Sequence, residues 1–112
     1  MQGKRSISLA AAAQADLDKI AAWTTENFGP SQAETYIETI LDTIDELAAL
    51  KSPSRSLARD EIAKGLRSLH MRKRRRRGRH FVLYSETADE VRVLRVLHDS
   101  MELSRHISRE DV

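Results

Sequence analysis

The chain contains no cysteine, only two prolines and four glycines, 4 percent aromatic residues, and no apolar run long enough to cross a membrane. Without cysteine there is no disulfide framework, no thiolate zinc site and no cysteine nucleophile, which suits a reducing compartment. With so few rings, the core has to be assembled from Leu, Ile, Val and Ala. The first residues are basic, but Gln14, Asp16 and Asp18 interrupt the apolar stretch that follows, so a secretion signal is not expected. The expectation is a cytoplasmic protein without a membrane segment. At 112 residues and 40 percent hydrophobic content, the chain predicts one domain over 1–112 with one core.

What the chain does have is charge, unevenly placed. Residues 1–61 carry six Lys/Arg against ten Asp/Glu, whereas residues 62–112 carry thirteen against seven. A basic second half points to an acidic partner, either nucleic acid or an acidic protein segment; a solvated turn is the bland alternative.

Hydrophobic spacing divides the chain at about residue 60. Ala13, Leu17, Ile20, Ala21 and Phe28 line one face of a first helix that ends at Gly29-Pro30. Ala33, Ile37, Ile40, Ile44 and Leu47 recur at 4, 3, 4 and 3, with Glu34, Glu38, Asp42, Asp45 and Glu46 between them, predicting a second, amphipathic helix. The short link makes the two an antiparallel hairpin. Lys51 to Arg59, with Pro53 and three serines, reads as a loop. Then alternation takes over, with strand candidates at Leu66–Met71, Arg79–Ser85 and Val91–His98 and a polar link, ETADE, between the last two. Val91, Val93, Leu94, Val96 and Leu97 point to both faces, so the last strand is expected to be covered on both sides. A further short strand at Ser6–Leu9 is weakly signalled. The predicted fold is α+β in the order β-α-α-β-β-β, an N-terminal helical hairpin (about 10–50) on a small antiparallel sheet (about 62–98), followed by a tail, 99–112.

Six segments also resemble one family. They are A-x-A-D-L at Ala13–Leu17; F-G-P-S-Q-A at Phe28–Ala33 with Tyr36; G-L-R at Gly65–Arg67; G-R-H-F-V-L-Y at Gly78–Tyr84; R-V-L-H at Arg95–His98 with Met101; and R-H-I at Arg105–Ile107. In this order and at these distances they resemble ParE-type toxins of the RelE/ParE superfamily. The resemblance implies a small toxin of a type II toxin–antitoxin pair, held inactive by a ParD-like antitoxin that folds along it as helix and strand in a hetero-oligomer. It also implies DNA gyrase as the target. The sister RelE branch instead cuts mRNA on the ribosome, which leaves a second function class open.

The residues permit each reading to be written down. A metal-free ribonuclease needs a base, an acid and cations for the developing phosphate charge. Lys64, Arg67, Arg79, His80, Tyr84, Arg95 and His98 supply those types, and Lys64, Arg67, Arg95 and His98 form the candidate set. The bland reading makes Tyr84 a core ring with its hydroxyl at the edge and makes Arg67 and Arg95 ion-pairing residues. The G-R-H and R-V-L-H-x-x-M segments resemble the non-catalytic branch, so a binding inhibitor without catalytic residues is expected. His70, His80, His98 and His106 show no recognised ligand spacing, and neither a metal nor a cofactor is expected.

Arg72 to Arg79, RKRRRRGR, is cationic at seven of eight positions and is longer than the family's usual link between these strands. It is expected to repel itself as a mobile connection. It would dock on gyrase-held DNA, bind phosphates directly, or meet an acidic antitoxin tail; a third reading of the whole protein is a basic nucleic-acid-binding module. Without interleaved aromatics, the run itself offers no base stacking. The resemblance implicates the C-terminal region in toxicity, so His98, Met101 and Arg105 join Arg74, Arg75, Arg76 and Arg77 as candidate target contacts. The apolar stripe of the second helix, Ile37, Ile40, Leu41 and Ile44, is the candidate antitoxin groove, with an exposed sheet edge beside it.

Overall fold

In the computed structural model, residues 4–49, 53, 55–73 and 76–99 are described, with 72, 73 and 76–78 described by their backbone alone. The short strand β1 (Ser6–Leu9) leads directly into α1 (Ala11–Phe28). Gly29 closes α1 with φ +90°, its N–H donating to the Thr25 carbonyl at 2.9 Å. That backbone state suits glycine, and Pro30, with its preset φ, then opens α2 (Pro30–Asp45). A 3-10 turn, Glu46–Ala48, ends the helical hairpin. The strands β2 (Leu57–Ala58), β3 (Arg67–Lys73), β4 (Arg76–Glu86) and β5 (Glu90–His98) follow.

The five strands form one sheet in the order β1-β5-β4-β3-β2. The helical hairpin lies on one face, where Ala13, Leu17, Ile40, Ile44 and Leu47 pack on Leu69, Met71, Val82, Tyr84, Val91, Val93 and Val96. The opposite face buries Leu66, Leu83 and Leu94 under Ile62 and Ala63 from the turn before β3. Thus β5 is covered on both sides, as its two-faced hydrophobicity predicts. Tyr84 is a core ring whose hydroxyl meets Ser56 Oγ at 2.6 Å.

Four features differ from the sequence-based expectation. The sheet is mixed, because β1 runs parallel to β5 in the register Ser6↔Glu90 to Leu9↔Val93. The supposed loop 51–59 contributes β2, paired with Arg67 and Ser68 of β3. The arginine run is not all connection, since β3 and β4 stay paired through Arg72↔Arg77 and Lys73↔Arg76. Phe28, placed on the inward face by its spacing, is exposed at the last residue of α1.

The hairpin is fastened to the sheet by a carboxylate. Asp16, buried on α1, accepts hydrogen bonds from Arg95 Nε at 2.7 Å and Nη2 at 2.9 Å, and from the Val96 N–H at 2.9 Å. The β4–β5 register steps from Leu83↔Arg95 to Tyr84↔Val93, leaving Leu94 as the extra residue of a bulge. Bulges re-aim side chains, and here Arg95 meets a helix while Val93 and Val96 still face the core. A second guanidinium works at the other end. Buried Arg5 donates to the carbonyls of Leu47, Ala49 and Thr87 and pairs with the Glu86 carboxylate, joining β1, the end of the hairpin and the β4–β5 turn.

Removing Asp16 would leave Arg95 without its carboxylate partner while 19 percent of that side chain still reaches water. Asp16→Ala is therefore expected to cost about 3 kcal/mol, the low end for a broken buried pair. Asp16→Asn, which keeps one acceptor, should cost less. The urea midpoint at constant m-value measures both, and a loss below about 1 kcal/mol for Asp16→Ala would contradict this role.

Candidate functional site

A cleft of about 740 Å³ opens between the helical hairpin and the strands. Lys19, Ile20, Trp23, Thr24 and Phe28 of α1 form one wall, with Ile20, Trp23 and Thr24 at the i, i+3, i+4 spacing of one helix face. Gln32 and Tyr36 enter from the start of α2, Arg79 and His80 from β4, and His98 from the end of β5. Trp23 is 59 percent exposed and Phe28 63 percent, with ring centroids 5.8 Å apart and planes tilted by 59°. An aromatic pair this open on a small domain is a mark of an interaction surface rather than a core.

The polar groups of the floor satisfy each other. The Arg79 N–H donates to the Tyr36 hydroxyl oxygen at 3.2 Å, and that hydroxyl shares a 2.6 Å hydrogen bond with His80 Nδ1. When the hydroxyl is the donor, His80 is neutral and carries its proton on Nε2. Burial first, and then the neighbouring His98, push the His80 pKa down to about 4, so the imidazole is neutral at physiological pH. The His98 ring stands edge-on to it at 5.2 Å. Burial likewise raises the Tyr36 hydroxyl, which stays protonated and able to donate. At the rim, Asp99 lies 3.3 Å from His70 Nε2, 3.6 Å from Arg79 Nε and 3.6 Å from His98 Nδ1. The His70 hydrogen bond is the main cause that holds its carboxyl below the usual range.

The candidate nuclease residues are dispersed. Lys64 is exposed in the turn before β3. Arg67 donates to Ser56 Oγ and the Ser56 carbonyl, both at 3.0 Å, and lies 3.8 Å from Glu86. Arg95 belongs to Asp16. His98 pairs with His80 and Arg67 with Tyr84, four residues further along β4, or about 13 Å at a strand's rise. Of the candidate target contacts, His98 lines the cleft. Met101, Arg105, Arg74 and Arg75 lie outside the described residues, as do the side chains of Arg76 and Arg77 and the remaining His106. Of the candidate antitoxin stripe, Ile40 and Ile44 are core and Ile37 packs against it, because a helix lying on a sheet spends its apolar face there. Leu41 remains 45 percent exposed. That stripe is consequently not an open groove.

Sequence reasoning overlooked Lys19, Trp23 and Tyr36 as site residues and treated Phe28 as core. One signal was present: Trp23 falls out of phase with the Ala13, Leu17, Ile20, Ala21 face, so a tryptophan stood on the polar side of an amphipathic helix. Nothing in the spacing pairs Tyr36 with His80, 44 residues away.

The neutral His80 also predicts a pH dependence. As pH falls below the ordinary histidine value of 6.5, the unfolded chain takes up a proton that the folded chain refuses until about pH 4. Stability should therefore fall progressively across that window. The melting temperature between pH 7 and 4 reads this directly, and His80→Asn should flatten the His80 part of the curve. A midpoint equally pH-dependent in the variant would argue against a buried neutral imidazole.

Among the described residues, no helix is long and apolar enough to cross a membrane. Residues 7–103 match the model of the ParE toxin of type II toxin–antitoxin systems, parDE. Toxin ParE1 of Mycobacterium tuberculosis, found in two strains, is 36 percent identical over 100 residues, covering 88 percent of this chain and 94 percent of that protein. A solved structure titled a chromosomal ParDE TA system from P. aeruginosa superposes with a TM-score of 0.67 at 21 percent identity, covering 84 percent of this chain and 95 percent of the other, which speaks for a shared fold. The match across most of the chain, together with the mycobacterial relative, places this protein in the ParE toxin family of type II toxin–antitoxin systems.

Proposed function

We propose that this toxin acts in the cytoplasm by binding rather than by catalysis, that a ParD-like antitoxin neutralises it, and that its target is DNA gyrase. The observation that carries the binding reading is the commitment of its cations: Arg95 is held by Asp16, Arg67 by Ser56 and Glu86. Residues so engaged and so spaced are poorly arranged to act together on one phosphodiester. Membership in the ParE family supports the antitoxin and the target.

The basic ribbon supports a target that holds DNA. The last β4–β5 pair is His80↔His98, whereas β3 and β4 remain paired out to Lys73↔Arg76. The paired backbone of Arg72, Lys73, Arg76 and Arg77 thus continues past the last β4–β5 pair, within a run that carries seven cations in eight residues. Such a ribbon suits sequence-blind attraction to phosphates, and His98, Met101 and Arg105 are proposed to complete the target surface.

Inducing the chain alone in a bacterium should arrest growth, co-expression of the antitoxin should relieve the arrest, and purified toxin should inhibit gyrase supercoiling. Replacing Arg74, Arg75, Arg76 and Arg77 by serine should raise the half-inhibitory concentration and flatten its log–log salt dependence by about 0.9 for each phosphate left without a cation. Arrest with intact gyrase and freshly cut ribosomal mRNA would instead favour the RelE-type nuclease. Salt-sensitive nucleic-acid binding without toxicity would favour a plain binding module.

A further inference from the structure

The basic ribbon leaves the sheet across a break in its ladder. His70↔Phe81 is followed by Arg72↔Arg77, so Met71 of β3 stands opposite three residues of β4, Gly78, Arg79 and His80. Irregularities of this kind bend a strand pair and add to its twist, so the break sets the direction in which Arg72, Lys73, Arg76 and Arg77 run on. Among the described residues, no third strand pairs with the ribbon beyond His80↔His98. A lone two-stranded ribbon holds its shape poorly, and whatever steadies its root matters more for that reason.

Backbone groups at the break are engaged from outside the β3–β4 ladder. The Arg79 N–H donates to the Tyr36 hydroxyl, and the Arg79 carbonyl accepts from the Asp99 N–H at 2.8 Å. On β3, His70 Nδ1 lies 3.0 Å from the Met71 carbonyl oxygen, while Nε2 of the same ring lies 3.3 Å from Asp99 Oδ2. The other oxygen of that carboxylate lies 3.6 Å from Arg79 Nε. Asp99, just past the end of β5, thus joins β3 to β4, and His70 joins Asp99 to the break. A carbonyl oxygen only accepts, and so does an ionised carboxylate. Both His70 bonds can therefore be made together only when the ring carries a proton on each nitrogen. The Asp99 carboxyl is held below its usual range, first of all by this bond to His70, so it is ionised at neutral pH.

We propose, resting on the gyrase reading above, that His70 and Asp99 are positioning residues of the toxin: they clasp the root of the basic ribbon and fix the direction in which its cations meet the target. The clasp is complete when the His70 ring carries both protons, and a neutral ring gives up one of the two bonds. Its hold on the ribbon therefore tightens as pH falls. The titratable and charged groups around it are Arg79 and His80 on β4, His98 on β5, whose Nδ1 lies 3.6 Å from Asp99, and Tyr36 on α2. His80, with its pKa pushed down to about 4, keeps its charge state where an ordinary imidazole changes its own, and Tyr36, pushed up by burial, does too. A substitution at His70 separates its share from that of His98.

The whole toxin is followed by amide hydrogen exchange, corrected for the intrinsic pH dependence of the rate, and by inhibition of gyrase supercoiling, from about pH 8 to about pH 6. His70→Gln provides a neutral donor that cannot titrate, and Asp99→Asn removes the charge; both are checked for native circular dichroism. At the acid end each should speed exchange at the Arg72, Lys73, Arg76 and Arg77 amides roughly tenfold, while the β4–β5 ladder stays within about threefold. The half-inhibitory concentration should rise on the order of fivefold, as for a contact surface that is no longer pre-organised. In the wild type, ribbon protection and potency should both improve as pH falls, and in His70→Gln most of that gain should disappear. Unchanged ribbon exchange in both variants would overturn the clasp while leaving the gyrase reading intact, as would a pH response in His70→Gln equal to that of the wild type. An equal acceleration throughout the sheet would mark general loosening and overturn the local role. Faster ribbon exchange with wild-type inhibition would overturn the positioning role. A wild-type toxin that leaves gyrase untouched at every pH would overturn the gyrase reading and the positioning role with it.

Discussion

The structure depends on one carboxylate. Asp16 leaves water on a helix and is compensated by two Arg95 donors and one backbone donor of β5, all within 2.9 Å. A buried carboxylate is costly unless its lone pairs are used, so this arrangement tolerates little sliding or rotation of the hairpin against the sheet. Hydrophobic contact between α1 and β5 supplies attraction without direction. The charge-assisted bonds supply the direction. They also stabilise the bulge at Leu94, since the Val96 N–H that takes Asp16 and the Arg95 side chain both lie just beyond it. Arg5 does the same service at the other end, gathering the carbonyls of Leu47, Ala49 and Thr87 that would otherwise need separate partners.

With the hairpin held at these two places, its Gly29 end forms one wall of a cleft whose other wall is Arg79, His80 and His98 of the sheet. The rings of Trp23 and Phe28 stay exposed on that wall, and the cleft is lined by residues of the helices and strands. Its floor is tied together by a hydrogen-bond chain that joins the Arg79 N–H, the Tyr36 hydroxyl and His80. Burial keeps this histidine neutral, and its Nδ1 is already engaged with Tyr36. The same chemistry suits a surface whose purpose is to be covered. Arg79 belongs both to the cleft and to the cationic run, so the apolar and the basic surfaces of this toxin meet at one residue.

Several levels of this architecture could be read from residues alone. The Gly29-Pro30 break, the 3.6-residue spacing of Ala33 to Leu47, and the two-faced hydrophobicity of Val91 to Leu97 specify two helices and an interior strand through local periodicity. The family was legible too, because its motifs are local strings in a fixed order along the chain. The direction of β1 was not, since four residues carry no mark of which neighbour they will pair with. Arg95 illustrates the limit more sharply: ion pairing was a fair reading of the residue type, but its partner Asp16 lies 79 positions away.

The sequence by itself determined the element types, the single core and the membership in a toxin family, because each rests on patterns that neighbouring residues carry. Tertiary structure decided the rest. It consumed Ile40 and Ile44 in the core and left Trp23 and Phe28 in solvent, a division that periodicity alone cannot make. It withdrew Arg67 and Arg95 into ion pairs and brought Tyr36 to His80, because the energies of buried charge and unpaired hydroxyls are settled only when distant segments meet and water is excluded between them.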